Sequence, residues 1–360
     1  MQIIETKKHM NGQEISKMFK KLRNLTAGLL LYGLVYASGC SSPLLYKDFA
    51  IDSQEYRKLS EREKSGKDSE KVLMLGALLN ELPSKKLDSF EIKSMITQNE
   101  KEIKYSRWLP KKSGKEVIVY INGLESHGGW FAESARKLAE RGIDVYAIDR
   151  RGSGINARVI GNYEDWVSDV HQLIKKIKED SNEKDINLVS LCFGARVATA
   201  EVIKNKEDVK TLAYISPGFD MKVDLNCCEK NLVALSVLSG INSPVSSPIK
   251  RAEMFTRDEE YLGRIKSDLL RVTSPNASDF YQGLLLLDFC RNNSKSVKIP
   301  MTVMFAGRDE IIDINKTKGF FYGFGSRPEI IVYKNSDHTI FFSEQKEEFI
   351  KDLTEFIERN

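Results

Sequence analysis

The chain has 360 residues, 41% of them apolar and 29% charged, with a net charge of +4. That length builds one large core, and the balance is that of a globular protein, which excludes a disordered chain and a polytopic membrane protein. Basic residues are scattered beyond the N-terminal segment, so no electrostatic footprint for nucleic acid is present.

The N-terminal segment reads as an export signal. Lys20, Lys21 and Arg23 form a basic stretch, and the apolar run Leu25 to Tyr36 is too short to span a bilayer comfortably. Ala37, Ser38 and Gly39 then place small residues before Cys40, a pattern that resembles the lipobox of bacterial lipoproteins. The expected outcome is a lipidated Cys40 that anchors the chain to a membrane of the cell envelope. Ser41 resembles the signal for release to an outer membrane, where the host has one. Residues before Met18 are polar and unlike a signal peptide, which points to Met18 as the start of translation, with Met1 the alternative.

Residues 41–88 are rich in Lys, Glu and Ser, with one apolar patch from Val72 to Leu82, and read as a polar tether with a short helix. From about Phe90 the pattern changes to alternating strands and helices. Strands are expected at Glu102 to Trp108, Val117 to Ile121, Val145 to Ile148, Ile186 to Leu191, Leu212 to Ser216, Pro300 to Ala306 and Glu329 to Tyr333. Helices are expected at Trp130 to Arg141, Tyr163 to Glu179, Phe193 to Lys204, near Ile314 to Phe321, and Ser343 to Arg359. This rhythm implies a mostly parallel sheet covered by helices on both faces, an α/β fold. It breaks at about 217–298, a largely helical insertion placed where a cap over the carboxyl ends of the strands would sit.

Ser190-Leu191-Cys192-Phe193-Gly194 lies between an expected buried strand and an expected helix, the context of a nucleophile elbow. Small residues two before and two after the nucleophile are needed because the turn is tight, and Ser190 and Gly194 meet that need. A thiol at a helix N-terminus is biased toward the reactive thiolate. The competing reading is that Cys192 is a small buried residue in a scaffold without activity.

Among four histidines, only His338, in the polar loop Asn335-Ser336-Asp337-His338, follows the nucleophile in the order of nucleophile, acid and base. Asp309, after the penultimate strand, is the expected acid that orients it, with Glu310, Asp313 and Asp220 as rivals. The expected oxyanion hole is the backbone N–H of Phe193 and that of Leu124, which follows Asn122-Gly123 in a turn after a strand. No spacing of Cys, His or carboxylates resembles a metal site, and no metal or other cofactor is expected. Of the remaining cysteines, Cys227 or Cys228 could bridge to Cys290; the sequence leaves this open, as it does the oligomeric state.

With Leu138-Ala139-Glu140-Arg141-Gly142, Asp149-Arg150-Arg151-Gly152-Ser153-Gly154, Gly307-Arg308-Asp309 and Phe255-Thr256-Arg257-Asp258-Glu259 added, the stretch from Glu102 to Ile357 resembles the monoacylglycerol lipase and lysophospholipase branch of the α/β-hydrolases, of the serine aminopeptidase S33 type. The resemblance implies an α/β-hydrolase fold with a helical cap, a lipid or acyl ester as small-molecule substrate, and hydrolysis through an acyl-enzyme. Two positions depart from that pattern: Asn122 stands where the family has histidine, and Cys192 where it has serine. Cysteine at an elbow is similar to dienelactone hydrolases and polyhydroxyalkanoate synthases, so acyl transfer or thioester hydrolysis is the alternative, and a binding protein without activity the second.

Overall fold

The computed structural model describes residues 90–110, 112, 114–180 and 185–360. The expected export signal, Met18, Cys40, Ser41 and the tether with its Val72 to Leu82 patch lie outside the described residues.

The strands are β1 (Phe90–Ile96), β2 (Glu102–Trp108), β3 (Glu116–Ile121), β4 (Asp144–Ile148), β5 (Asp185–Leu191), β6 (Thr211–Ile215), β7 (Met301–Ala306) and β8 (Glu329–Tyr333). They form one sheet in the order β1-β2-β4-β3-β5-β6-β7-β8. β1 pairs antiparallel with β2, and β2 antiparallel with β4; every later pairing is parallel. The helices are α1 (Ala132–Glu140), α2 (Tyr163–Asp180), α3 (Gly194–Asn205), α4 (Cys227–Ser239), α5 (Glu259–Ser267), α6 (Ala277–Asn293), α7 (Ile314–Phe321) and α8 (Lys346–Arg359).

The central strands bury both faces, which is why they read as unbroken apolar runs. Alternate residues of β3 serve two separate cores. Ile118 and Tyr120 join Leu138 of α1 and Phe349 and Leu353 of α8, while Val117, Val119 and Ile121 join Trp166 and Leu173 of α2 and Val197 of α3. Burying one such aliphatic side chain is worth roughly 1.5–3 kcal/mol, so the two cores fix the register of the central strands.

Several boundaries differ from expectation for local reasons. α1 begins at Ala132 rather than Trp130, because Gly128–Phe131 forms a 3-10 turn whose N-cap His127 accepts the Gly129 N–H. α3 begins at Gly194, with Phe193 as its cap. The last helix begins at Lys346 rather than Ser343, after a 3-10 turn at Ile340–Phe342. Strand β1 was not expected. It is an edge strand in which Met95 alone is buried, so it carries little apolar alternation. The Cys290 option for a disulfide is also not taken: Cys290 is a buried free thiol against the Arg196 carbonyl at 3.3 Å.

Between β6 and β7 the chain passes through α4, α5 and α6 and packs against the carboxyl end of the sheet. Asp268 accepts the Trp130 indole N–H at 2.7 Å and meets His127 Nε2 at 3.0 Å. Arg271 pairs with buried Glu125 at 2.7 Å, and the Thr339 N–H donates to the Phe255 carbonyl at 2.9 Å.

Candidate active site

Cys192 occupies the bend between β5 and α3 with φ +50°, a left-handed conformation that costs a non-glycine residue about 1–2 kcal/mol. Hydrogen bonds hold it there. Its N–H donates to Ile215 at 3.0 Å, and its carbonyl accepts from Gly218 at 2.9 Å and Ala195 at 3.1 Å. Gly194 explains the demand for a small residue after the bend. A Cβ there would lie 2.4 Å from the Ile121 carbonyl oxygen and 2.6 Å from that of Asn122, so only glycine lets α3 rest on the end of β3.

The loop after β8 brings His338 to this bend. The imidazole is wholly buried, and its Nδ1 meets Asp309 at 2.9 and 3.1 Å, one distance to each carboxylate oxygen. The Asp309 carboxylate also accepts the N–H groups of Ile311 at 2.8 Å and Ile312 at 2.9 Å, which aims it. Among the described residues the other ring nitrogen, Nε2, is buried without a hydrogen-bond partner, and Cys192 is near enough to act on the ring. Burial alone would lower the imidazole pKa. Asp309 and then Cys192 outweigh it, and the value is raised to about 10.

The rival carboxylates serve elsewhere. Glu310 pairs with Arg251 and Arg257, Asp313 caps α7, and Asp220 pairs with Arg291. His127 and His171 are likewise engaged, with Asp268 and Glu201.

The structure places Gly123 beside the nucleophile, since a Cβ there would lie 3.5 Å from the Cys192 Cβ. Asn122, the residue that departs from the family's histidine, anchors this turn. Its amide donates to the carbonyls of Gly123 and Ser126 and to the Ser153 hydroxyl, and its oxygen accepts the Arg150 N–H at 3.3 Å. The N–H groups of Leu124 and Phe193 donate to no protein acceptor among the described residues.

Three contributors were missed in the sequence. Ser216, φ +43°, donates its hydroxyl to the His338 carbonyl at 2.7 Å. The Lys222 amine donates to the Asp309 carbonyl at 2.5 Å. Arg196, buried within α3, donates to Gly218. Only Arg196 left a trace, as a charge inside an otherwise apolar helix start.

The family model described as Serine aminopeptidase, S33 matches residues 112–346, most of the chain. The chain belongs to this family. It is an α/β-hydrolase. Over 254 residues it is 23% identical to Phospholipase YtpA of Bacillus subtilis, covering 68% of this chain and 95% of that protein. It is 31% identical over 71 residues to an uncharacterized abhydrolase domain-containing protein of Dictyostelium discoideum, spanning 8% of that much longer protein. The crystal structure of Paleococcus ferrophilus monoacylglycerol lipase has the same fold, with a TM-score of 0.63 at 17% identity, covering 72% of this chain and all of that one.

Proposed function

We propose that this chain cleaves lipid or acyl esters through a covalent intermediate on Cys192, with His338 as proton carrier and Asp309 as the carboxylate that orients it. The observation that carries the reading is the strained thiol at the β5–α3 bend facing an imidazole that is itself held by a buried carboxylate.

The thiol proton passes to His338, whose charged form Asp309 favours by raising its pKa to about 10. The sulfur attacks the ester carbonyl carbon, and the carbonyl oxygen becomes an anion held by the N–H groups of Leu124 and Phe193. As the tetrahedral centre collapses, the imidazolium gives its proton to the departing alcohol, leaving a thioester on Cys192. Neutral His338 then takes a proton from water, which attacks the thioester and frees the acid and the thiolate. The strained bend keeps the sulfur at the mouth of the turn, and Asp309 compensates the imidazolium charge throughout.

Similarity to Phospholipase YtpA and to a monoacylglycerol lipase favours a glycerolipid ester with a fatty acyl chain. The aromatic cover over His338, with Phe255 at 5.9 Å from its ring and Trp130 packed on Phe255 at 5.2 Å, favours an apolar acyl group. A second reading follows from the thiol. A thioester is open to amines, alcohols and thiols as well as to water, so Cys192 also fits acyl transfer to another acceptor or hydrolysis of a thioester. A lipidated Cys40 would keep the enzyme at a cell-envelope membrane, close to such substrates.

The test supplies monoacylglycerols, lysophospholipids and acyl thioesters to the protein and to Cys192→Ala, with and without added glycerol, amine or thiol. Hydrolysis lost in Cys192→Ala supports the ester reading, and acylated acceptor as the main product supports transfer. Equal turnover by both proteins contradicts the role of Cys192, and none by either on any substrate contradicts both readings and favours a binding protein.

A further inference from the structure

The ring of Phe193 lies between two buried guanidinium groups. Arg150 stands 5.1 Å from its centroid and Arg196 5.2 Å. Both arginines are buried, and among the described residues neither has a carboxylate at ion-pair distance. Their hydrogen bonds run to backbone. Arg150 donates to the Leu124 carbonyl at 2.7 Å and to that of Arg151 at 3.1 Å. Arg196 donates through Nε to the Gly218 carbonyl at 2.8 Å and through Nη1 to the Gly283 carbonyl at 3.0 Å, while Nη2 approaches the Met221 sulfur at 3.9 Å.

Burying a cation without a paired anion is costly, and a position that retains one has something else to oppose its charge. For Arg196 the carbonyls of Gly218 and Gly283 do this, in the first turn of α3, four residues beyond Cys192. Its three contacts also meet at the elbow. The Gly218 carbonyl it grips belongs to the residue whose N–H holds the Cys192 carbonyl. Gly283 lies in α6, and a Cβ there would come within 2.7 Å of the Phe193 ring, so the helix backbone forms the floor on which that ring rests. Trp166 closes the edge at 5.7 Å.

We propose that Arg196 is a positioning residue of the acyl-transfer site: through the Gly218 and Gly283 carbonyls it ties the bend that carries Cys192 to α6, and it holds the Phe193 ring, and with it the Phe193 N–H, in place. The inference rests on the proposed role of Cys192. Arg196 does not touch the substrate; it acts through Phe193, Gly218 and Gly283. The insertion thereby becomes part of the site, because α6 supplies one of the three groups that hold Arg196 in place.

The experiment measures the rate of alkylation of Cys192 by iodoacetamide at neutral pH, by peptide mass spectrometry, together with kcat and KM on a soluble ester. It compares wild type with Arg196→Met, which keeps volume and loses charge, and Arg196→Lys, which keeps charge and loses the planar fork. In Arg196→Met the alkylation rate is expected to fall about tenfold, because the turn that carries the sulfur is no longer tied to Gly218 and α6. Arg196→Lys is expected to lose about tenfold in kcat with KM little changed, because one amine cannot hold the Gly218 and Gly283 carbonyls as the fork does and Phe193 is no longer fixed. Should Arg196→Met fail to fold, Arg196→Lys decides through kcat. A folded Arg196→Met with the wild-type alkylation rate, or an Arg196→Lys with wild-type kcat, overturns the proposal. Wild-type Cys192 reacting no faster than exposed Cys227 overturns the role of Cys192 as well.

Discussion

The hydroxyl of Ser216 donates to the backbone carbonyl of His338 at 2.7 Å, and it does so from a left-handed residue with φ +43° at the end of β6. The Ser216 N–H is itself fixed on the Met304 carbonyl at 2.8 Å. The loop carrying the imidazole is thus tied to the strand beside the elbow, and a strained backbone is kept to make that tie.

Removing the hydroxyl gives up a hydrogen bond worth about 1 kcal/mol and loosens the imidazole. Ser216→Ala is expected to lose roughly five- to tenfold in kcat, with KM little changed. Ser216→Gly loses the same bond but relaxes the backbone, so it should melt above Ser216→Ala while sharing its kinetic defect. Thermal melts and steady-state kinetics on the pair separate the two effects.

Gly194→Ala places a methyl group within 2.4 Å of the Ile121 carbonyl oxygen, a backbone atom that cannot swing aside. The cost is expected at on the order of 1–3 kcal/mol, with β3 and α3 forced apart. Urea denaturation gives the stability loss. Alkylation of Cys192 should slow in parallel, since its turn is displaced.

Asp309 accepts the Ile311 and Ile312 N–H groups on one oxygen and meets His338 Nδ1 most closely with the other, so an amide that keeps the two backbone bonds turns its NH2 toward the ring. Asp309→Asn removes the charge that stabilises the imidazolium and misdirects the ring. Turnover is expected to fall by about three orders of magnitude or more. Glu310→Gln, on a surface carboxylate paired with Arg251 and Arg257, should leave it within about twofold.

The His338 pKa is raised to about 10, against an unfolded value of about 6.5. The charged ring therefore stabilises the fold, fully below about pH 6.5, and this contribution is lost as pH rises through about 10. The stability gap between wild type and His338→Gln should narrow between about pH 6 and pH 10.5. Urea titrations at several pH values read it directly, and a gap that widens over that interval contradicts the charged pair.

Much of this was legible because the central strands are buried on both faces. Continuous apolar runs such as Val117 to Ile121 have no reading other than strand or buried core, and Ile314 to Phe321 and Glu329 to Tyr333 match their elements to the residue. β1 was hidden because an edge strand needs little apolar pattern. The residues that meet at the elbow could be named as candidates because each follows a strand, and order along the chain limits the choice of histidine. Ser216, Lys222 and Arg196 act through backbone atoms of distant segments, and such contacts leave no spacing to find. Asn122 shows the opposite case: a departure that raised a question about the oxyanion turn proves to be its anchor through four hydrogen bonds.

Intact-protein and peptide mass spectrometry after rapid acid quench, on protein turning over a 4-nitrophenyl acyl ester, tests acyl transfer through Cys192 most directly. The expected result is one acyl group per chain, carried as a thioester on the peptide containing Cys192 and absent from Cys192→Ala, which also ceases to turn over. Sustained turnover by Cys192→Ala, or an acyl group found on any other residue, would contradict it.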